Sequence, residues 1–173
     1  GTNSEHISDS QYSFTTKSKI YIVKYNSLGN RIWVSTSNIQ TTYNSIGNYS
    51  TSIACDKNNG IFITGSYEKF ISFDSYQLSA NNASAIFIAK YDTSGKAQWA
   101  KSIFGTKLND AITYGQGNDI AVDRNNFVYL TGFYRGPFNF GGTIFPCHLV
   151  NDIFLTKLDE NGTFLNTITF GGD

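Results

Sequence analysis

The stretch IYIVKYNSLGNRIW at residues 20–33 returns as IFIAKYDTSGKAQW at 86–99 and, more loosely, as IFLTKLDENGTFL at 153–165. Lys24, Lys90 and Lys157 mark the same place, at offsets of 66 and 67 residues. Farther along, ACDKNNGIFITGSY at 54–67 matches AVDRNNFVYLTGFY at 121–134, so Gly65 and Gly132 lie 67 apart. A fixed period of this length marks a repeat architecture, in which each unit buries its apolar faces against its neighbours. The second copy reads as an apolar strand over 86–91, a turn at 92–95, a strand over 97–104, and two more strands over 117–123 and 127–134. Arg124-Asn125-Asn126 joins the last two, since Asn tolerates the left-handed backbone that tight hairpins need. A further extended piece over 137–145 carries the chain to the next unit. No window has helically spaced apolar residues over the ten or more positions a helix requires.

The first strand of the repeat is apolar on both faces. Phe87, Ala89 and Tyr91 point one way, Ile86 and Ile88 the other, with Lys90 breaking the second face near the strand end. A strand with one buried face alternates cleanly, so this one is expected between two layers. The phrase F-[IV]-x-K-Y-D-x-x-G-x-x-x-W, followed by [IV]-A-x-D-x-x-x-x-[VI]-[YF]-[VLI]-T-G, resembles the SBBP family of β-propeller repeats, best over 87–134. The resemblance implies an all-β, propeller-like array of four-stranded antiparallel blades. About 2.5 repeats of ~66 residues fit the chain. The division is 1–18, the tail of a preceding blade; 19–84, repeat 1; 85–151, repeat 2; and 152–173, the start of repeat 3. Residues 7–14 roughly match 71–78, which suggests the preceding blade. Propellers close with about four to eight blades. The array is therefore expected to belong to a larger propeller, and the lack of Met even at position 1 suggests a chain that natively begins earlier.

Composition narrows the partners. Thirteen Lys plus Arg balance thirteen Asp plus Glu over 173 residues, without the basic excess of a nucleic-acid binder. Aromatic residues at 16% outnumber charged ones at 15%, and Asn, Gly, Ser and Thr supply the remaining polarity, which suits twisted strands and tight turns. No stretch approaches the roughly 18 apolar residues of a membrane-spanning helix. The N-terminal GTNSEHISDS lacks the regions of a signal peptide.

Candidate sites are few. Cys55 and Cys147 have no metal-ligand spacing; Cys55, in the apolar run SIACD, reads as a small buried thiol, with a Cys55–Cys147 disulfide as the alternative. The acidic turns beginning at Asp56, Asp92, Asp123 and Asp159 read as hairpin turns and not as calcium loops, because none carries the D-x-[DN]-x-[DN]-G series. Lys24, Lys90 and Lys157 are expected to lay their stems on apolar neighbours and keep the ammonium in water. Trp33 and Trp99 are expected to be largely buried in blade-to-blade packing, with Leu165 replacing Trp in the third copy. His6 and His148 have no triad partner at a suggestive spacing, and the three glutamates, Glu5, Glu68 and Glu160, are scattered. Sequons stand at Asn48, Asn82 and Asn161.

The expected function is a non-catalytic structural or protein-interaction module of a secreted or surface-exposed protein, the setting the SBBP resemblance implies. Its expected partners are further blades of the same polypeptide or other protein chains. No metal, cofactor, nucleic acid or membrane-spanning segment is expected. A glycan-binding module is the alternative, stacking sugars on exposed aromatics at Trp99, Tyr67 or Tyr134; an enzyme whose site is completed by further blades is the third.

Overall fold

The computed structural model describes residues 20–39, 49–106, 113–147 and 150–171, together with the backbone of 8–9 and 12–13. The described residues form fourteen strands. In chain order these are β1 (Ser8–Asp9), β2 (Tyr12–Ser13), β3 (Tyr21–Tyr25), β4 (Arg31–Ile39), β5 (Tyr49–Cys55), β6 (Ile61–Phe73) and β7 (Tyr76–Tyr91). They continue with β8 (Ala97–Gly105), β9 (Tyr114–Val122), β10 (Val128–Arg135), β11 (Phe138–Phe140), β12 (Thr143–Phe145), β13 (Asp152–Leu158) and β14 (Phe164–Phe170).

Two complete four-stranded antiparallel blades result. The central blade runs β5-β6-β7-β8 and the last blade β9-β10-β13-β14, with cognate registers throughout. Ahead of them, β3 and β4 form the outer hairpin of a preceding blade, the cognate of β7 and β8. Each blade therefore straddles a boundary of the sequence repeat, which begins at the third strand of one blade and ends at the second strand of the next. The described residues contain no closed ring.

The piece over 137–145 does more than carry the chain onward. It forms the tip hairpin β11–β12, and β11 pairs back onto β8, with Asn139 opposite Phe104. The end of β6 and the start of β7 form the same tip, which pairs back onto β4 with Asn38 opposite Ser72. Successive blades are thus joined by backbone hydrogen bonds at their outer edges, so the central blade belongs to an eight-stranded sheet. The β1–β2 pair has the register of these tips: Ser8 opposite Ser13 and Asp9 opposite Tyr12, as Ser72 faces Gln77 and Phe73 faces Tyr76.

The two-sided strand lies between two layers, as its pattern requires. Ile86, Phe87, Ile88 and Ala89 are fully buried. One face, with Phe87, Ala89 and Tyr91, packs with Ile61, Ile63 and Tyr67 against Ile20 and Ile22 of the preceding hairpin. The other, with Ile86, Ile88 and Ile103, packs against Ile120, Val128, Leu130 and Phe154 of the last blade. Each blade thus has a trailing face toward the blade before it and a leading face toward the blade after it.

Cys55 is exposed, contrary to the expectation of a buried thiol, and both cysteines are free. Its cognate Val122 packs into the second core cluster because the central blade lies behind it. Among the described residues no inner strand precedes β5, so neither Cys55 nor Ile53, at 58% exposure, has such cover.

Burial of the tyrosines sets a pH limit on the fold. Desolvation pushes the Tyr67 hydroxyl up to about 12 against the ordinary 10.0, partly offset by its 2.6 Å hydrogen bond with Ser102 Oγ. Tyr91 is raised further by burial, with the Asp74 carboxylate adding to it. A phenol whose folded pKa is raised contributes stability that is complete below its unfolded pKa and is lost as pH rises through the folded value. Denaturant midpoints are therefore expected to hold up to about pH 10 and fall between about pH 10 and 12. Midpoints flat to pH 12 would contradict this.

Candidate functional site

The recurrent residues converge on the blade junctions. Trp33 Nε1 donates to the Thr93 carbonyl at 2.9 Å, and Lys24 Nζ donates to the same oxygen at 3.3 Å. One blade later, Trp99 Nε1 and Lys90 Nζ donate to the Glu160 carbonyl at 3.1 and 3.2 Å. In each case an indole and an ammonium from one blade hold the outer turn of the next.

Those turns are built to receive them. Asp92 Oδ1 accepts the amides of Ser94 and Lys96, and Asp159 Oδ1 those of Asn161 and Thr163. Asp56, Asp123 and Asn26 use a side-chain oxygen in the same way. The Ser94 hydroxyl and the Lys96 amide hold the Asp92 carboxyl below the usual range. At Asp123 and Asp159 desolvation pushes upward but is outweighed by the backbone amides of Phe127 and Asn125 and of Thr163 and Asn161. Gly95 and Gly162 close their turns at φ +83° and +79°. A Cβ on Gly95 would come within 2.7 Å of the Trp33 ring, and one on Gly162 within 3.1 Å of Trp99. Glycine is needed twice over, for the left-handed backbone and for the space the indole occupies.

The lysines are more engaged than a solvated ammonium would be. Lys90 also lies 3.8 Å from the buried Asp56 carboxylate and 5.1 Å from the Phe62 ring centre, and Lys157 lies 3.8 Å over Phe127. Trp33 and Trp99 occupy equivalent junction positions, as expected, but are half-buried and not largely buried, because each indole packs on a surface turn. Trp99→Ala is accordingly expected to cost about 2 kcal/mol, below the roughly 3–5 of a fully buried Trp. Urea denaturation measures it; a loss above 4 kcal/mol would mean the ring is a core residue.

The Trp position of the third copy holds Asn166, not Leu165. Lys24 faces Trp33 and Lys90 faces Trp99; in the last blade Lys157 faces Asn166. Counting four residues from the turn glycine gives the same result, and that count was the available signal: Gly29 to Trp33, Gly95 to Trp99, Gly162 to Asn166.

Tyr67 and Tyr134 are fully buried and cannot present a ring to a sugar. Strand alternation turns both inward, with the Tyr134 hydroxyl donating to the Pro146 carbonyl at 3.1 Å. The innermost strands meet directly: Tyr49 Oη donates to Gln116 Oε1 at 2.9 Å, Ser52 Oγ to Asp119 Oδ1 at 2.6 Å, and Thr51 Oγ1 to the Gly117 carbonyl. A polar groove of about 500 Å3 opens between the β3–β4 hairpin and the central blade. Ser35, Thr36, Asn38, Asp74, Ser94 and Lys96 line it, and its lining includes no aromatic ring. His6, His148 and Asn48 lie outside the described residues; Asn161 is exposed in its turn. Among the described residues no three His, Cys, Asp or Glu side chains gather as metal ligands, and no helix is long and apolar enough to cross a membrane.

No family model matches the chain. Over 128 residues it is 33% identical to an uncharacterized WD repeat-containing protein, L264, of Acanthamoeba polyphaga mimivirus. The match covers 69% of this chain and 8% of the length of that protein. This distant likeness, together with the repeated four-stranded antiparallel blades, supports a β-propeller repeat protein of WD-repeat-like character.

Proposed function

We propose that the chain is a non-catalytic structural and protein-interaction module whose working surfaces are the faces of its blades, set in a secreted or surface-exposed protein. The observation that carries this reading is the use made of the repeated residues. Lys24, Lys90, Trp33, Trp99 and the turns they hold all serve to seat one blade on the next. The likeness to SBBP-type repeats supports the exported setting, and the balanced charge argues for protein partners over nucleic acid. Further blades or other protein chains are the partners.

A glycan-binding reading has one observation in its favour, the polar groove lined by Asp74, Asn38 and Lys96. Its lack of an aromatic platform disfavours it, since sugar rings are commonly held by stacking. A glycan array combined with a Trp fluorescence titration decides between the two. A flat response is expected; saturable binding of one sugar class, abolished by Asp74→Ala, would replace the scaffold reading.

A further inference from the structure

The sequon Asn161-Gly162-Thr163 forms the turn between β13 and β14 and is the one whose side chains all lie within the described residues. Asp159 fixes this turn through the backbone. Its carbonyl accepts the Gly162 amide at 3.1 Å, and its Oδ1 accepts the Asn161 and Thr163 amides at 2.9 and 2.8 Å. The residues on either side of Asn161 are committed to the blade junction: the Glu160 carbonyl receives Trp99 and Lys90, and Gly162 leaves room for the indole. Asn161 itself is exposed, and its side-chain amide makes no hydrogen bond among the described residues. Thr163 is exposed as well.

The repeats supply an internal comparison. Leu28 and Ser94 hold the cognate position in the first two copies. Ser94 lies where the chain provides both neighbours, the preceding hairpin gripping its turn through Trp33 and the last blade following, and it is exposed all the same. Leu28 is 83% exposed. The exposure of Asn161 is therefore a property of its place in the turn, and a blade following β14 would leave it in solvent. The side chains differ in their use. The Ser94 hydroxyl donates to Asp92 Oδ1 at 2.6 Å and so helps to build its turn, whereas the Asn161 amide takes no such part. Two residues on, where the other copies have Asn30 and Lys96, the third has Thr163 and so completes an acceptor triplet.

We propose that Asn161 is a site of N-linked glycosylation. The proposal rests on the exported setting of the proposed function, since the transferase and its lipid-linked donor belong to a secretory membrane. In the transfer Asn161 Nδ2 bonds to the anomeric carbon of an oligosaccharide carried on a lipid pyrophosphate. The bond from that carbon to the pyrophosphate oxygen breaks, the lipid pyrophosphate leaves, and one amide proton is released. The glycan is carried on the outer turn and not on a blade face, so the seating by Trp99 and Lys90 stays in place.

The test is secretion of the full chain, behind a cleavable signal peptide, from mammalian cells grown with a mannosidase inhibitor. An endoglycosidase then leaves one N-acetylglucosamine on each modified asparagine, and peptide mass mapping locates it. The tag is expected on Asn161. Asn161→Gln and Thr163→Ala are each expected to lose it and Thr163→Ser to keep it, with melting by circular dichroism to show that each variant folds. Should the cells retain the chain, its translation into microsomes gives the same reading of Asn161. A folded, translocated chain with a bare Asn161, or a tag that survives Thr163→Ala, would overturn the proposal. A bare Asn161 alongside a flat glycan array leaves the scaffold reading standing; saturable sugar binding removes that reading whatever Asn161 carries.

Discussion

Gly132→Ala is expected to destabilise the protein by about 3 kcal/mol or more, out of proportion to the one methyl group it adds. Gly132 and its cognate Gly65 are the glycines of the T-G dipeptide in each second strand. Neither has a positive φ, so backbone freedom is not the reason for them. The reason is a bulge in the inner strand opposite. The register slips between Thr131 and Gly132, which face Asp119 and Gly117 and leave residue 118 unpaired; β5 slips likewise between Ser50 and Ser52. The bulge brings a carbonyl down onto the glycine. A Cβ on Gly132 would lie 2.0 Å from the Gln116 carbonyl oxygen and 2.9 Å from Phe154 Cε1, and on Gly65 it would lie 2.0 Å from the Tyr49 oxygen. Backbone and a fully buried ring cannot both yield without disturbing the blade core. Gly29→Ala is the control. Its φ of +80° is strained for alanine but its surroundings are open, so about 1–2 kcal/mol is expected there. Urea midpoints of the three proteins give the ranking, and a Gly132→Ala variant as stable as Gly29→Ala would refute the close-approach account.

Phe87→Ala is expected to cost about 3–5 kcal/mol, the range for a fully buried aromatic. The ring has no accessible surface, lies 5.0 Å from Phe73 between centroids, and belongs to the cluster that holds Ile20 and Ile22 against the central blade. Its removal opens a cavity on the trailing face and weakens the seat of the preceding hairpin together with the blade. A cognate pair on the leading faces isolates burial from sequence. Ile88→Ala, under the last blade, is expected to cost about 2–5 kcal/mol, and Leu155→Ala, at the same place on the open face, only about 0.5. Equal losses at the two positions would mean that the leading face of the last blade is already covered.

What the amino-acid pattern settles by itself is whatever depends on near neighbours in the chain. The short apolar strand runs, the Asp and Asn turns and the two-sided apolar run at 86–91 express backbone sterics and burial, which act over a few residues, and their return at 66- and 67-residue offsets marks the repeat. The all-β, layered reading followed from them, and so did the placing of Trp33 and Trp99 in packing between repeats, whereas the four-stranded antiparallel blades were what the SBBP resemblance implied. Tertiary structure decided what depends on residues a whole period apart. That the same indole and ammonium grip the next turn requires Trp99 and Glu160 to meet across 61 residues. Whether Cys55 is covered depends on a blade behind it, as it does for Val122, and no local feature of SIACD distinguishes the two. Tyr67 and Tyr134 turn inward because strand parity assigns them to the trailing face, and only pairing tells which parity faces a neighbour. The tip hairpins read as mere connections because their partners, β4 and β8, lie in the preceding blade. Periodicity in a sequence reveals the unit; the burial of each face is a property of the stack, since it takes the adjoining unit to remove that face from water.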